Sequence, residues 1–244
     1  VSLTRSTHPI SVSMEHTPPI QKGHDARLVV AIILVTMAMG MLDAISLLHL
    51  KMFAGYMTAS IILIAVNIAT SQAIVLSGLE AIGCFYVGAV LGGRLVRRRR
   101  HQRLIIGDML LGVASLIALA AWIWSAAPPG APYITLGLLA FAMGVQTSAT
   151  RHASLPDMTM PAATIVLHGL AHNSFAAGGD NRGSWRRASA IGALFFGAVM
   201  GTLISAHSVA QGIALTAFII MMAGVVLLVG RLPLVVRLDR ISIP

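Results

Sequence analysis

Phe53-Ala54-Gly55-Tyr56-Met57-Thr58-Ala59-Ser60-Ile61-Ile62-Leu63-Ile64-Ala65-Val66-Asn67-Ile68-Ala69-Thr70 is an apolar run of 18 residues, interrupted by small and polar side chains. A transmembrane helix needs about 20 mostly apolar residues, so this run falls at the short end. A second run of the same quality spans Met160–Ala177. Whether these two runs cross the membrane fixes the topology of everything around them.

The surrounding sequence leaves little doubt that a membrane is the solvent. Of 244 residues, 57% are hydrophobic and only 10% charged, and the mean hydropathy is +0.84. Soluble domains carry about 25% charged residues, and a globule this size could not cover its surface with so few. Six further apolar runs are of comfortable length: Leu28–Leu48, Ala73–Val96, Leu104–Ala126, Tyr133–Ala149, Ala188–Ala206 and Gln211–Val229. The first is too long for a signal-peptide core, and no small-residue cleavage site follows it. Residues 1–27, rich in Ser, Thr, Pro and His, are expected to form a disordered cytoplasmic tail, with a short cytoplasmic tail over 231–244. The lone Cys84 excludes a disulfide scaffold.

Positive charge decides between the topologies. Cytoplasmic loops of membrane proteins are enriched in Lys and Arg. If all eight runs cross with the N-terminus inside, the 17 basic residues divide nine inside and eight outside, which is no bias. If the two weak runs enter and leave on one side, every basic residue except Lys51 falls inside, sixteen against one. The loop at Pro128–Pro132 and the segment around His207 then face out without any Lys or Arg. The dimensions permit this. Half of a ~30 Å hydrocarbon core is ~15 Å. An extended His49–Met57 reaches that depth at ~3.3 Å per residue, and a helix from Thr58 to Thr70 returns at ~1.5 Å per residue. The alternative is two ordinary hairpins with short full spans.

The chain also repeats itself. Ala38-Met39-Gly40 recurs as Ala142-Met143-Gly144, and Ala59-Ser60-Ile61-Ile62-Leu63 as Ala163-Thr164-Ile165-Val166-Leu167, both at an offset of 104. Ala81-Ile82-Gly83 recurs as Ala190-Ile191-Gly192, and Gly88-Ala89-Val90-Leu91-Gly92 as Gly197-Ala198-Val199-Met200-Gly201, at an offset of 109. Each repeat, 28–126 and 133–230, then holds three crossings and one re-entrant segment. An odd number of crossings requires the halves to be inverted. The expected fold is an all-α polytopic membrane protein with six transmembrane helices, two re-entrant half-helices and an inverted internal repeat, an architecture of transporters and channels.

Several side chains stand out against this frame. Asp43 and Glu80 lie inside apolar runs, where a carboxylate is costly and normally faces a bundle interior or a polar pathway; the competing reading is a structural acid. Asp108, four residues into its run, reads as a structural partner of nearby arginines. Thr58 with Ser60, and Thr159 with Pro161, suit helix starts. Helix N-termini aimed at the membrane centre would favour an anion or a polar neutral solute. The glycine pairs Gly88/Gly92 and Gly197/Gly201 let backbones approach closely, and are expected to pack the third run against the seventh.

His168 and His172 share a helix face, but no third ligand is suitably spaced, so no metal site is expected. His49, His152 and His207 sit at run ends and do not suit a haem, and no cofactor is expected. Met37, Met39 and Met41 occupy different helix faces and read as core. Trp122, Trp124 and Tyr133 read as an interfacial belt. Arg97, Arg98, Arg99 and Arg100 are expected to meet anionic lipid rather than nucleic acid. No Gly-x-Ser-x-Gly, His-Glu-x-x-His or Walker motif is present, so enzymatic activity is not expected.

Gly40-Met41-Leu42-Asp43-Ala44, followed by Phe53 and Met57-Thr58, resembles the opening Gly-x-x-Asp-Ala…Phe…Thr-Gly-Asn pattern of the YoaK-like bacterial membrane proteins. Gly144-Val145-Gln146 resembles a later Gly-x-Gln motif of that family. The resemblance covers roughly residues 28–230 and implies a multi-pass protein of the bacterial inner (plasma) membrane, without a known activity. The chain departs from the pattern where Thr58-Ala59-Ser60 replaces Thr-Gly-Asn and where Ala162-Ala163 stands for a second Thr-Gly. If those motifs line a pathway, the departures imply altered selectivity or lost activity.

Taken together, these features favour a small channel or secondary transporter for a small polar or anionic solute. Asp43, Thr58, Ser60, Glu80, Gln146, Thr164 and His168 are the expected pathway residues. The alternative is a non-transporting scaffold or partner-binding subunit. A homo-oligomer is compatible with either.

Overall fold

In the computed structural model, residues 22–98, 102–153, 163–181 and 183–229 are described, and among them the helices are joined by short loops with no strand. The helices are α1 (Lys22–Leu50), α2 (Met57–Asn67), α3 (Gln72–Arg98), α4 (Gln102–Ala126), α5 (Ala131–Ala153), α6 (Ala163–His172), α7 (Ser184–Ser205) and α8 (Val209–Val229), with a 3₁₀ turn at Phe175–Ala177. Six of them, α1, α3, α4, α5, α7 and α8, are long and apolar enough to cross a membrane. α1 starts five residues before the expected end of the polar tail. Its first turns are polar, and the helix simply continues past the apolar segment.

α2 and α6 have 11 and 10 residues. At ~1.5 Å per residue they measure about 16 and 15 Å, half a hydrocarbon core. Among the described residues, the weak runs therefore hold short helices.

The bundle is organised by three long-helix pairs, α1 with α7, α3 with α5, and α4 with α8. α4 also packs on α5, and α8 on α1; α2 lies on α3, and α6 on α7. Exchanging α1–α4 with α5–α8 maps this set of contacts onto itself.

Glycine explains why the first two pairs are so close. A Cβ on Gly197 would overlap the Met37 carbonyl oxygen, and one on Gly40 the Leu194 carbonyl oxygen, so α1 and α7 touch backbone to backbone. Likewise a Cβ on Gly88 would overlap the Phe141 carbonyl oxygen, and one on Gly144 that of Phe85. The Ser148 hydroxyl donates to the Ala89 carbonyl across the second crossing (2.9 Å). Gly40 and Gly144, and Gly88 and Gly197, are related by the two sequence offsets, so both crossings use matching positions. This corrects one expectation. The glycine pairs of the third and seventh runs do not meet each other, and α3 and α7 share no contact. Each small face is instead matched by a small face at Gly40 or Gly144.

The contacts also fix helix directions. Gly197 meets Met37 and Gly201 meets Met41, so α1 and α7 run parallel. Gly88 meets Phe141 and Gly92 meets Val145, so α3 and α5 run parallel. Gly107 meets Leu228 while Gly224 meets Leu111, so α4 and α8 are antiparallel.

Candidate functional site

The most unusual local structure follows α1. Lys51 leaves the helix with positive φ (57°), and its ammonium donates to the Leu48 carbonyl. The chain then turns back along the helix it has just left. The Ala54 amide donates to Ser46 Oγ (3.2 Å), and the Gly55 amide donates to Asp43 Oδ1 (2.7 Å). Asp43 lies seven residues before the end of α1, so Gly55 sits about 10 Å back from that end. α2 starts there. The Ser60 hydroxyl donates back to the Phe53 carbonyl (3.0 Å), which closes the loop on α2.

This arrangement changes the reading of the helix start. The N-cap of α2 is Tyr56, with no side-chain cap. Thr58 is exposed, and Ser60 is buried within the first turn of the helix, so neither caps it. The α2 start is served by Asp43 from another helix, and the amides of Tyr56 and Ala54 lie beside the same carboxylate. An acidic side chain of the protein itself therefore meets the helix start on which the anionic-solute expectation rested.

Asp43 is 3% exposed, yet its second oxygen, Oδ2, has no hydrogen-bond partner. That oxygen faces a tight junction of three segments. A Cβ on Gly55 would stand 2.7 Å from Met143 Cε of α5 and 3.0 Å from Asp43 Oδ2. Gln146 follows Met143 by three residues on α5, is also buried, and has an unpartnered Oε1. The third such atom among the described residues is Thr135 Oγ1, nearer the start of α5. Native proteins leave few buried polar atoms unsatisfied, and two of these three accept hydrogen bonds only.

The remaining expected pathway residues lie elsewhere. Glu80 is half-buried on α3 beside Gly137 of α5. Thr164 and His168 are exposed on α6, where His168 stacks on His172 with ring centroids 5.6 Å apart. α2 and α6 do not touch, so the described parts of the short helices do not meet at a common centre. Thr159 and Pro161, and Arg99 and Arg100 of the basic run, lie outside the described residues. Arg97 is exposed at the end of α3. Among the described residues no group of three or more His, Cys, Asp or Glu could hold a metal ion.

Sequence reasoning missed Ser46, Gly55 and Met143. Ser46 and Gly55 had a readable signal: an acid and a serine three apart in the last turns of a span, then a glycine just before a short helix. Met143 had none, because an apolar residue in an apolar helix carries no mark of what it covers.

A family model described as "Protein of unknown function (DUF1275)" matches residues 31–227. The chain belongs to the DUF1275 family. No curated protein and no solved structure matches it. The DUF1275 match runs from within α1 to within α8 and includes the Asp43 loop. It is consistent with the YoaK-like resemblance carried by Gly40–Ala44 and Gly144–Gln146.

Proposed function

We propose that this DUF1275 protein is a small secondary transporter or channel of the bacterial inner membrane, with no enzymatic activity. Its solute site lies at the junction of α1, the 51–56 loop and α5. The observation that carries the reading is Asp43 Oδ2, sealed in the bundle and without a hydrogen-bond partner of good geometry, although the Tyr56 and Ala54 amides lie near the carboxyl group. Such an atom calls for a proton, a water or a bound donor. An unpartnered acceptor oxygen is met by an N–H or O–H group, so a small solute bearing such donors suits the site better than the anionic class. Flux through liposomes holding the purified protein, screened over small amines, amides, polyols and anions, tests this. Uptake of a donor-bearing solute above protein-free vesicles is expected. Uptake confined to anions would overturn the site assignment.

The helix directions support six crossings with two re-entrant segments and an inverted repeat. Parallel α1 and α7 require that both short helices cross or neither does. At about 16 Å α2 is too short to span ~30 Å, which favours the case in which neither crosses. The termini are then cytoplasmic and Lys51 faces out. In a Cys84→Ala background, an impermeant thiol reagent added outside should label a cysteine at position 51 and spare one at position 97. Labelling at 97 but not 51 would sink this topology.

A second reading has its own support. The Gly55 bond already gives Asp43 a structural task, pinning the loop that starts α2. On that reading the protein is a non-transporting scaffold or partner-binding subunit, and a homo-oligomer is its simplest assembly.

A further inference from the structure

Glu80 belongs to neither the Asp43 junction nor the loop. The apolar stretch of α3 runs from Ala73 to Gly93, between Gln72 and Arg94. Its centre is Gly83, so Glu80 lies about 4.5 Å from the middle of the span. On the inner side, its carboxylate reaches over Gly137 of α5, where a Cβ would stand 3.1 Å from Glu80 Oε1 and 3.3 Å from Cys84 Sγ. On the outer side it is flanked by Leu76, Leu79 and Val87, all exposed apolar side chains. Gly83, one turn along, leaves a gap in that flank, since nothing lies within 4 Å of a Cβ built there. The carboxylate thus sits in a notch that opens on the apolar face of the bundle.

Among the described residues, no charged group is paired with it. On α3 the titratable neighbour is Cys84. The face of α5 presents Gly137, with Tyr133 one turn away and Arg151 at the far end. α2 carries no titratable side chain. Asp108 of α4 lies close to the α3–α4 turn, about 18 Å along the axis. At the matching position of the other repeat, offset 109, stands Ser189, whose hydroxyl donates to the Arg186 carbonyl of its own helix (3.0 Å). Packing at this position is therefore met by a small neutral residue, and an acid is an addition to it.

We propose that Glu80 is a reversible proton-binding site that opens to the bilayer through the gap at Gly83. An ionised carboxylate is strongly disfavoured at the centre of a membrane, and the notch provides no cation and no donor stronger than the Cys84 thiol. A proton is the ligand that makes the group compatible with its surroundings, and the open flank lets the group be reached from the lipid side. This inference does not depend on the Asp43 reading, because its test requires no solute.

The test uses the full-length protein in native membranes and the apolar reagent dicyclohexylcarbodiimide. A protonated carboxyl adds across the reagent's C=N bond and transfers its proton to nitrogen. The O-acylisourea then rearranges to a stable N-acylurea, with nothing released. Peptide mass spectrometry should find the adduct on Glu80 and not on sealed Asp43. Labelling should fall as pH rises, and Glu80→Gln should abolish it. Gly83→Leu, which fills open space, should close the notch and remove most of the label while elution on size exclusion is unchanged. If that variant does not fold, the wild-type pH profile decides alone. The proposal is overturned by the absence of label at Glu80 in membranes, by labelling that ignores pH, or by labelling that appears only after dispersal to monomers. The last result would mean that a second copy of the chain covers the notch.

Discussion

Gly197→Ala and Gly88→Ala should each unfold or severely destabilise the protein, whereas Gly83→Ala and Gly192→Ala should not. All four are helical glycines replaced by one methyl group, and only their surroundings differ. At Gly197 and Gly88 the methyl would fall on a carbonyl oxygen of the neighbouring helix, Met37 and Phe141 respectively. A backbone oxygen cannot rotate aside as a side chain can, so the helices must separate along the whole crossing. Overpacking usually costs about 1–3 kcal/mol. A rigid obstacle at a crossing that relies on close backbone packing places these two at or above the top of that range. At Gly83 and Gly192 nothing lies within 4 Å of the new methyl. There the helix propensity of alanine should give up to about 1 kcal/mol of added stability. Thermal unfolding of the four variants in one detergent reads the contrast directly. Equal effects at all four positions would mean that the α1–α7 and α3–α5 crossings are not built on these glycines.

The same glycines mark the boundary of what the sequence could tell. Length, composition and the placement of 17 basic residues were enough to find six long helices and two short ones. Those signals are sums over many residues, so single errors cancel. The offsets of 104 and 109 were equally legible, because identity of residue type needs no geometry. Pairing was not. Gly88-x-x-x-Gly92 announces that some helix comes close, but its partner is chosen by the whole bundle, and it proved to be α5 rather than α7. The site was half legible for a related reason. Asp43 is conspicuous as a charge in an apolar run, and Gln146 is marked by the Gly-x-Gln resemblance. What Asp43 does depends on a loop returning about 10 Å along its own helix, held by the Gly55 and Ala54 amides. Backbone donors are common to nearly all residues and so leave no trace in residue types. Thr58 stood out for its hydroxyl, yet it faces outward, because only the dihedral angles of residues 51–56 determine how α2 is turned.

Asp43→Asn separates the two functional readings because it changes one carboxylate oxygen and spares the other. Asn retains an acceptor for the Gly55 amide, so the 51–56 loop and the start of α2 should survive with a stability change within about 1 kcal/mol. At the Oδ2 position, however, an acceptor becomes an NH₂ donor and the negative charge is lost. If that oxygen binds a donor-bearing solute, two donors then face each other in a sealed site. Flux should fall at least about tenfold, the equivalent of 1.4 kcal/mol or more. If Asp43 only pins the loop, Asp43→Asn should be nearly silent in every assay. Asp43→Leu gives the complementary measurement. It removes the acceptor for Gly55 altogether and leaves a buried amide unpaired, at a cost of about 1–3 kcal/mol. Both readings therefore expect Asp43→Leu to lower the unfolding temperature, and only the transport reading expects Asp43→Asn to stop flux in a protein that remains folded. A folded, fully active Asp43→Leu protein would remove Asp43 from the pathway. The Asn variant also isolates the acid at Glu80: it should leave carbodiimide labelling there unchanged, since no contact joins Asp43 to the notch on α3.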